Sequence, residues 1–376
     1  MTTVVDAHVL DAERQATTAA ATAEECCPAY DHALAACDEA LAVRPDITSK
    51  HFFSFADRPV RMRVVGRELA DRLTRPFAHL RTSDPGDDIR FALCIDVWDE
   101  REAHVPYPSE GVNPTEIRWP AGQGMLGLSA ATRFVQYDCT SWVTWLDRAN
   151  QRIIGWRANA DRLSMHERTR PLPFLLPAWY ADCGIHVIHA GLVGREGRGV
   201  LFCGANGAGK STTSLACLCG GLDFLSDDHV GIEATENGAF VGHSIFASTR
   251  LEPDHLERFP MLLPYAIKSQ EWFETKSLIL TAEVAPDQVT RSASIRAIAL
   301  PTVVDAPSSR FELVSRAEAL RALAPSSMMQ MPFGATRERF TTLAKLVASV
   351  PAYRLELGRD ISSIAPRVSE LLDRLP

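Results

Sequence analysis

The chain has 376 residues, of which 46% are hydrophobic and 23% are charged, so it carries enough apolar material for more than one buried core. Its net charge of -8 at pH 7 argues against a general nucleic-acid binder or a protein of acidic membrane surfaces. We therefore expect no nucleic-acid and no membrane partner.

The cysteines and the first residues of the chain indicate the cellular compartment. The nine cysteines include no CxxC pair and no Cys/His spacing for zinc, which predicts reduced thiols. The first 25 residues carry early acids and no basic flank before a long apolar core, and no apolar run reaches membrane-spanning length. These features predict a cytoplasmic protein.

The amino-terminal half combines a helical segment with short strands. Residues 1–48 are alanine-rich, and "YDHALAACDEALAV" predicts a helix in this extension. Strand-like runs follow, "VRMRVVG", "RFALCIDVWD", "RFVQYD", "WVTWLD" and "RIIGWR", interrupted by a predicted helix, "RELADRLTRPFAHL". We expect a smaller α+β domain at 49–170, with tryptophans 98, 142, 145 and 156 packed in its core.

The second domain is predicted at 171–376, after a proline-rich connector and an apolar helix that ends on Gly184. "IHVIHAGLV" and "GRGVLFCG" predict two strands joined by the turn "GREG". Further strands are predicted in "AFVGHSI", "SLILTAEV", "IRAIALPTVV" and "RFELVS", and helices in "RAEALRAL" and "ATRERFTTLAKLVASV". The expected class is an α/β domain with a mixed sheet and flanking helices.

A GxxxxGKS motif follows the second of these strands and opens a predicted helix. Glycines let successive backbone N–H groups point at phosphate oxygens, and the helix amino terminus adds its dipole. Lys210 would reach the β and γ phosphates, and the Ser211 hydroxyl would hold magnesium. The predicted nucleotide-binding residues are Gly204, Ala205, Asn206, Gly207, Ala208, Gly209, Lys210, Ser211 and Thr212.

Two adjacent acids, Asp227 and Asp228, end the next predicted strand, "LDFLSDD". We expect this strand to lie beside the loop strand in a parallel sheet, which brings both acids to the nucleotide. One carboxylate can orient magnesium while the other accepts a proton from an attacking hydroxyl. Alternatively, both acids serve metal binding, or one caps the following element.

Other polar residues have two interpretations each. His189, on the strand before the loop strand, is a candidate for the γ phosphate, although a histidine in an apolar strand is commonly a core residue and His186 competes with it. Lys276 is a candidate phosphate or base-side contact and Arg250 a candidate phosphate contact, or else both are ordinary solvated charges.

The segment "HAGLVGREGRGVLFCGANGAGKSTTSLACLCGGLDFLSDDHV" resembles the HPr kinase/phosphorylase family, whose kinase domain has a histidine, a strand-turn-strand unit, a GxxxxGKS loop and a DD pair at these intervals. The similarity covers residues 184–233. Farther on, "VPAYRLELGRDISSIAPRVSELL" resembles the tail of HPr-kinase-related proteins of peptide and secondary-metabolite pathways.

This resemblance implies roles for individual residues. It makes Asp227 the general base, places Asp228 at the metal, and puts His189 in the active site. The family's glycine-rich signature after the DD strand is missing here, and in "TRLEPDHLERF" Glu252 matches its metal-binding acid. This departure puts HPr outside the predicted acceptors, and no phosphorylase activity is predicted.

The leading interpretation is a P-loop kinase that uses ATP and Mg²⁺ to phosphorylate a hydroxyl of a peptide, a protein or a small metabolite. The alternative is a nucleotide-gated binding or assembly ATPase that signals by conformation. A transport ATPase is disfavoured because no LSGGQ-like segment occurs. The sequence leaves open whether the protein forms a homo-oligomer.

Overall fold

A computed structural model of the chain describes residues 27–86, 88–108, 124–126, 133–139, 142–269, 274–329 and 337–375. The chain forms two interleaved compact units. The first comprises residues up to Phe52, Pro59–Arg72 and Ser83–Arg162, and the second comprises Phe53–Arg58, Leu73–Thr82 and Leu163–Pro376. The simpler division at residue 170 stays a prediction, and the predicted extension before residue 27 lies outside the described residues.

The elements up to residue 162 are mostly short. The helices are Pro28–Val43, Arg67–Thr74 and Glu100–Ala103, with 3-10 turns at Pro45–Ile47, Arg75–Leu80 and Ala160–Arg162. The strands are β1 (Thr48–Phe55), β2 (Arg58–Val65), β3 (Arg81–Thr82), β4 (Leu93–Asp99), β5 (Gly124–Leu126), β6 (Phe134–Cys139), β7 (Trp142–Asp147) and β8 (Arg152–Arg157). These bounds confirm the strand predictions for this half of the chain.

The sheet of the first unit contains the order β2-β4-β8-β7-β6-β5, in which β2, β4 and β8 run parallel and the remaining pairs antiparallel. Helix Pro28–Val43 buries residues spaced three or four apart, which places them on one face. Two of them, Tyr30 and Cys37, pack in one core cluster with Trp98 and Trp145. The predicted core position is therefore confirmed for Trp98 and Trp145, and Trp142 is also buried, whereas Trp156 is only partly buried.

The second unit contains the strands that follow residue 162. They are β9 (His186–His189), β10 (Gly191–Arg195), β11 (Arg198–Phe202), β12 (Asp223–Ser226), β13 (His229–Ala234), β14 (Phe240–Ser244), β15 (Ser248–Leu251), β16 (Ser277–Leu280), β17 (Ser292–Val303), β18 (Arg310–Leu313) and β19 (Ala352–Leu357). Its helices are Met165–Thr169, Leu175–Asp182, Lys210–Cys219, Pro253–Leu256, Thr281–Val284, Arg316–Met329, Arg337–Ser349 and Ile364–Arg374, with 3-10 turns at Pro260–Tyr265, Pro286–Gln288 and Ile361–Ser363.

The main sheet of this unit has the order β12-β10-β11-β17-β14-β13-β9, with β19 on β17 and β18 on β19. Strand β11 is parallel to β17 and β17 is parallel to β19, while the other pairs are antiparallel. The two ends of the order meet where Ala190 N–H donates to the Asp228 carbonyl at 3.0 Å. The expected mixed α/β class is confirmed at this level.

Apolar side chains alternate along the central strands and pack into two cores, one on each face of the sheet. Val200 and Phe202 pack with the helices Lys210–Cys219 and Ile364–Arg374, whereas Leu201 packs toward Arg316–Met329 and Arg337–Ser349. Fully burying each of these side chains contributes roughly 1.5–3 kcal/mol. Helices on both faces therefore fix the central strands, and with them the loops at the strand ends.

Several predictions about these elements differ from the structure. The predicted helix 67–80 becomes a 3-10 turn after Thr74, because Pro76 lacks the N–H that an α-helix needs. "TAEV", predicted as strand, forms the helix Thr281–Val284. Strand β12 does not lie beside the loop strand β11, because β10 lies between them and pairs antiparallel with both.

Candidate active site

One cavity of about 390 Å³ in the second unit is lined by the glycine-rich loop, residues 204–209, and by the end of β12. The carboxyl ends of the parallel strands β11, β17 and β19 share one edge of the sheet, so the residues after them also reach the cavity. In open α/β sheets this edge is where ligands bind. The cavity volume lies within the range of small-molecule sites.

The glycine-rich loop is shaped by Gly209, which caps the helix Lys210–Cys219. Its φ of 105° lies in the left-handed region, and a Cβ there would stand 2.5 Å from Leu357 Cδ1. Glycine alone meets both requirements at low cost. The loop therefore passes close to the end of β19 before it enters the helix.

Lys210 is buried under this loop. Its Nζ donates to the carbonyl oxygens of Gly204 at 2.8 Å and Ala205 at 3.1 Å. Burial lowers the pKa of Lys210, and the nearby charge of Asp228 opposes that shift. The ammonium group thus lies within the loop that its motif predicts to hold phosphates, bonded to backbone oxygens.

Asp227 lies in a buried, hydrogen-bonded position. Its Oδ2 accepts a 2.6 Å hydrogen bond from Thr249 Oγ1, on β15, and the Ser211 hydroxyl also bonds its carboxylate. Burial, followed by the charge of Asp228, raises the pKa of Asp227, and the two hydroxyl bonds only partly offset this. This carboxyl therefore accepts a proton more readily than an ordinary aspartate.

Asp228 lies among cationic and imidazole groups. Arg170 Nη2 and His229 Nδ1 stand 2.5 Å and 2.7 Å from its Oδ2, and His189 Nε2 stands 2.6 Å from its Oδ1. Burial alone would raise the pKa of Asp228, but Arg170, His229 and His189 outweigh it and hold that pKa well below its usual range. Asp228 is therefore a stable carboxylate.

His189 reaches the cavity by a different route from the one predicted. "IHVIHAGLV" is two strands, and His189 ends β9, which pairs with β13 so that His189 lies opposite His229. It is not on the strand next to β11, which corrects the expected placement. His186, three positions earlier on β9, does not line the cavity, whereas His189 does.

Arg170 and His229 were missed by sequence reasoning. His229 follows the DD pair directly, so a titratable group beside two acids was a usable signal. Arg170 lies in the proline-rich connector, far from the motif in sequence, and no spacing rule indicated it. Burial lowers the pKa of His229, so this imidazole is a weak base at its position.

The outer wall of the cavity contains the other predicted contacts. Glu252 Oε2 accepts a 2.6 Å hydrogen bond from Thr275 and its Oε1 lies 3.7 Å from Lys276 Nζ. Arg250 pairs with Glu274 at 3.1 Å, and burial followed by the charge of Arg170 lowers the pKa of Arg250. All three predicted residues, Glu252, Arg250 and Lys276, line the cavity.

The residues present can be compared with the needs of magnesium. Within the described parts of the chain, no group of three or more His, Cys, Asp or Glu side chains could hold a metal ion. Magnesium bound to a nucleotide needs fewer protein ligands, because phosphates and waters complete its octahedron. The Ser211 hydroxyl fits that need, whereas Asp228 could serve as a ligand only after Arg170 and His229 move away from its Oδ2.

Comparisons with known proteins add little. Neither the protein-family models nor the curated proteins include a match to this chain. A solved structure of the Hpr(Ser) kinase/phosphatase from Coxiella burnetii is similar at 14% identity, over 50% of this chain and 97% of that one, with a TM-score of 0.26. A likeness this weak does not establish a shared fold. Across the described residues, no helix is long and apolar enough to span a bilayer.

Proposed function

We propose that this protein is an ATP-dependent kinase that transfers the γ-phosphoryl group to a hydroxyl of a peptide, a protein or a small metabolite. The observation that supports it is the convergence, in one cavity, of the loop with Lys210 and Ser211 and a buried carboxyl, Asp227, whose pKa is raised. Phosphoryl transfer is mainly positioning and charge stabilisation, and these groups supply both.

In the proposed reaction the acceptor oxygen attacks the γ phosphorus of ATP. The bond between the γ phosphorus and the β,γ-bridging oxygen breaks, and ADP leaves. The proton of the acceptor hydroxyl passes to the Asp227 carboxylate. Lys210 exchanges its two carbonyl partners for the β and γ phosphates and neutralises their charge. Magnesium, held through Ser211 and through Asp228 once Arg170 and His229 have moved from its Oδ2, would neutralise further charge on the phosphates.

The pKa directions support Asp227 rather than Asp228 as the proton acceptor. A general base works best when its pKa approaches the working pH. The pKa of Asp227 is raised, whereas Arg170 and two imidazoles hold that of Asp228 well below its usual range. We assign Asp228, together with His189, to holding charge and geometry beside the phosphates, with Glu252 as a further magnesium ligand.

One observation favours the alternative, a nucleotide-gated switch. Asp228 and Lys210 are both occupied by partners within the protein, and a bound nucleotide would have to displace Lys210 from the carbonyls of residues 204 and 205. Such an exchange is the kind of local change that biases a conformational equilibrium. A switch of this kind would hydrolyse ATP slowly and label no acceptor.

The deciding experiment uses Asp227→Asn. Wild type and variant are incubated with Mg-ATP carrying a labelled γ phosphate and with serine and threonine peptides, proteins and small hydroxyl compounds. We expect the variant to bind Mg-ATP within a few-fold of wild type, while transfer falls by roughly 10²–10⁴ because the proton acceptor is lost. If wild type labels no acceptor and Asp227→Asn hydrolyses ATP as wild type does, the kinase proposal fails in favour of the switch.

A further inference from the structure

The cavity has an apolar wall that the phosphate chemistry does not explain. Strand β17 ends at Val303 and β19 ends at Leu357, and the turn beyond β19 adds Gly358, Ile361 and Ile364 to the same lining. Val303 and Leu357 are paired in register on parallel strands, so they lie side by side at the edge of the sheet. The rest of the lining includes charged residues on and near β15, among them Arg250, Glu252 and Lys276.

Exposure makes this wall unusual. Val303 is 72% exposed, although it ends a strand whose preceding apolar residues are buried. Its strand partner Leu357 is buried, and so is Ile364, which lines the same cavity. An exposed valine continuous with buried aliphatic side chains, inside a cavity, provides a flat apolar surface for a ligand.

This wall is adjacent to the glycine-rich loop. A Cβ on Gly209 would stand 2.5 Å from Leu357 Cδ1, so the loop backbone and the wall are in van der Waals contact. A molecule with its phosphates on the loop can therefore extend its other end over Val303 and Leu357 without leaving the cavity.

No side chain of this wall could form a hydrogen bond with a ligand. None of its five residues, Val303, Leu357, Gly358, Ile361 and Ile364, carries a polar side-chain atom. The nearby backbone N–H of Gly358 donates to Ser309 Oγ at 3.2 Å, and Ser363 Oγ donates to the same oxygen at 3.2 Å. The polar groups behind the wall are thus bonded to each other.

We propose that this apolar wall is the nucleobase subsite, and that it binds the base through contact with its flat face and does not distinguish adenine from guanine. The proposal rests on the proposed function only through the assignment of phosphates to the glycine-rich loop. An apolar pocket discriminates weakly between ligands of similar shape. ATP and GTP should therefore bind with dissociation constants within about 10-fold of each other.

The test measures, by titration calorimetry at fixed Mg²⁺, the affinities of ATP, GTP and inorganic tripolyphosphate for the full chain. Val303→Asn should weaken ATP and GTP alike, by about 3- to 10-fold, and leave tripolyphosphate unchanged. Val303→Phe should tighten both nucleotides by a similar factor, because a ring stacks on a base. Leu313→Asn is the matched control: Leu313 is 70% exposed, lies on β18, and does not line the cavity, so it should change nothing.

Other results would overturn the inference. ATP binding more than about 100-fold tighter than GTP would show that a polar group reads the base. Unchanged nucleotide affinity in Val303→Asn, or an equal loss for tripolyphosphate, would place the base elsewhere. Wild type that binds tripolyphosphate as tightly as ATP refutes the base subsite and leaves the phosphate site standing. Wild type that binds neither refutes the phosphate site itself, and with it the kinase proposal.

Discussion

Asp227 and Asp228 are consecutive residues with opposite electrostatic surroundings. Asp227 meets two hydroxyl groups, and its pKa is raised by burial and by its neighbour. Asp228 meets one guanidinium and two imidazoles, which hold its pKa well below the usual range. Two acids whose pKa values are driven apart are typical of sites that divide proton transfer from charge stabilisation. This separation is the main physical support for unequal roles.

Lys210→Ala should weaken Mg-ATP binding by roughly 30-fold or more, because a buried charge-assisted contact to phosphate is worth about 2 kcal/mol or more. Titration calorimetry gives the affinity, and circular dichroism checks that the fold persists. Lys276→Ala is the matched control. Lys276 also lines the cavity, but its ammonium is exposed at the outer wall, 3.7 Å from Glu252, so its removal should cost less than about 3-fold. Equal losses in the two variants would contradict the assignment of Lys210 to phosphate.

The sequence could supply only part of this site. The GxxxxGKS motif identified Lys210 and Ser211 as site residues, and the DD pair identified Asp227. These residues lie on consecutive elements, from β11 through the loop and the helix Lys210–Cys219 to the end of β12. Arg170 comes from a connector that only tertiary packing brings to Asp228. His189 was found, but by a wrong route, since its strand pairs with β13 rather than with the loop strand.

At the scale of elements, local patterns indicated most strands but not their neighbours. "LDFLSDD" was correctly identified as β12, and its predicted pairing was wrong, since β10 separates it from β11. Which strands become neighbours depends on how distant segments pack together in the folded sheet, and alternation of apolar residues carries no such information. Two antiparallel pairings in succession nevertheless leave β12 parallel to β11, so Asp227 still reaches the predicted edge.

The glycine-rich loop allows a test at this scale. Gly209→Ala combines a left-handed φ of 105° with a Cβ 2.5 Å from Leu357, so we expect it to destabilise the second unit by about 1–3 kcal/mol and to weaken nucleotide binding. Gly207→Ala is the control, since its φ is 81° but a Cβ there meets nothing within 4 Å. Thermal unfolding and calorimetry would measure both variants. If the two variants behave alike, the close approach of the loop to β19 has no energetic weight.

At the scale of the whole molecule, the two acids of the site affect the free energy of unfolding. Asp227 is a buried carboxyl whose ionised form is disfavoured, so at neutral pH the fold bears the cost of its charge. Asp228 has the opposite effect, because in the folded state its carboxylate neutralises Arg170 and contacts the two imidazoles. Residues retained for function commonly reduce stability in this way. The two acids should therefore contribute to the free energy of unfolding with opposite signs.

Conservative substitutions at the two positions test this directly. At pH 7, Asp227→Asn should raise the midpoint of thermal unfolding by about 2–5 °C, because it removes a buried charge and keeps the shape. Asp228→Asn should lower it by about 5–10 °C, because it leaves Arg170 without its counter-charge. Differential scanning calorimetry of wild type and both variants gives the midpoints. A fall in both variants of similar size would mean that Asp227 is ionised in the fold without cost.

The pH dependence of these shifts follows from the directions of the two pKa changes. A raised folded-state pKa means that the cost of Asp227 is absent below the unfolded value, about 3.9, and grows as the pH rises through the folded value. A lowered folded-state pKa means that the stability from Asp228 is full above about pH 4 and is lost as the pH falls through the folded value. The midpoint difference for Asp227→Asn should therefore be near zero in acid and rise as the pH goes from about 4 toward 7. The difference for Asp228→Asn should be full above about pH 4 and shrink only in stronger acid. A difference for Asp227→Asn that does not change with pH, or one for Asp228→Asn that persists unchanged in strong acid, would show that packing, and not charge, distinguishes the two acids.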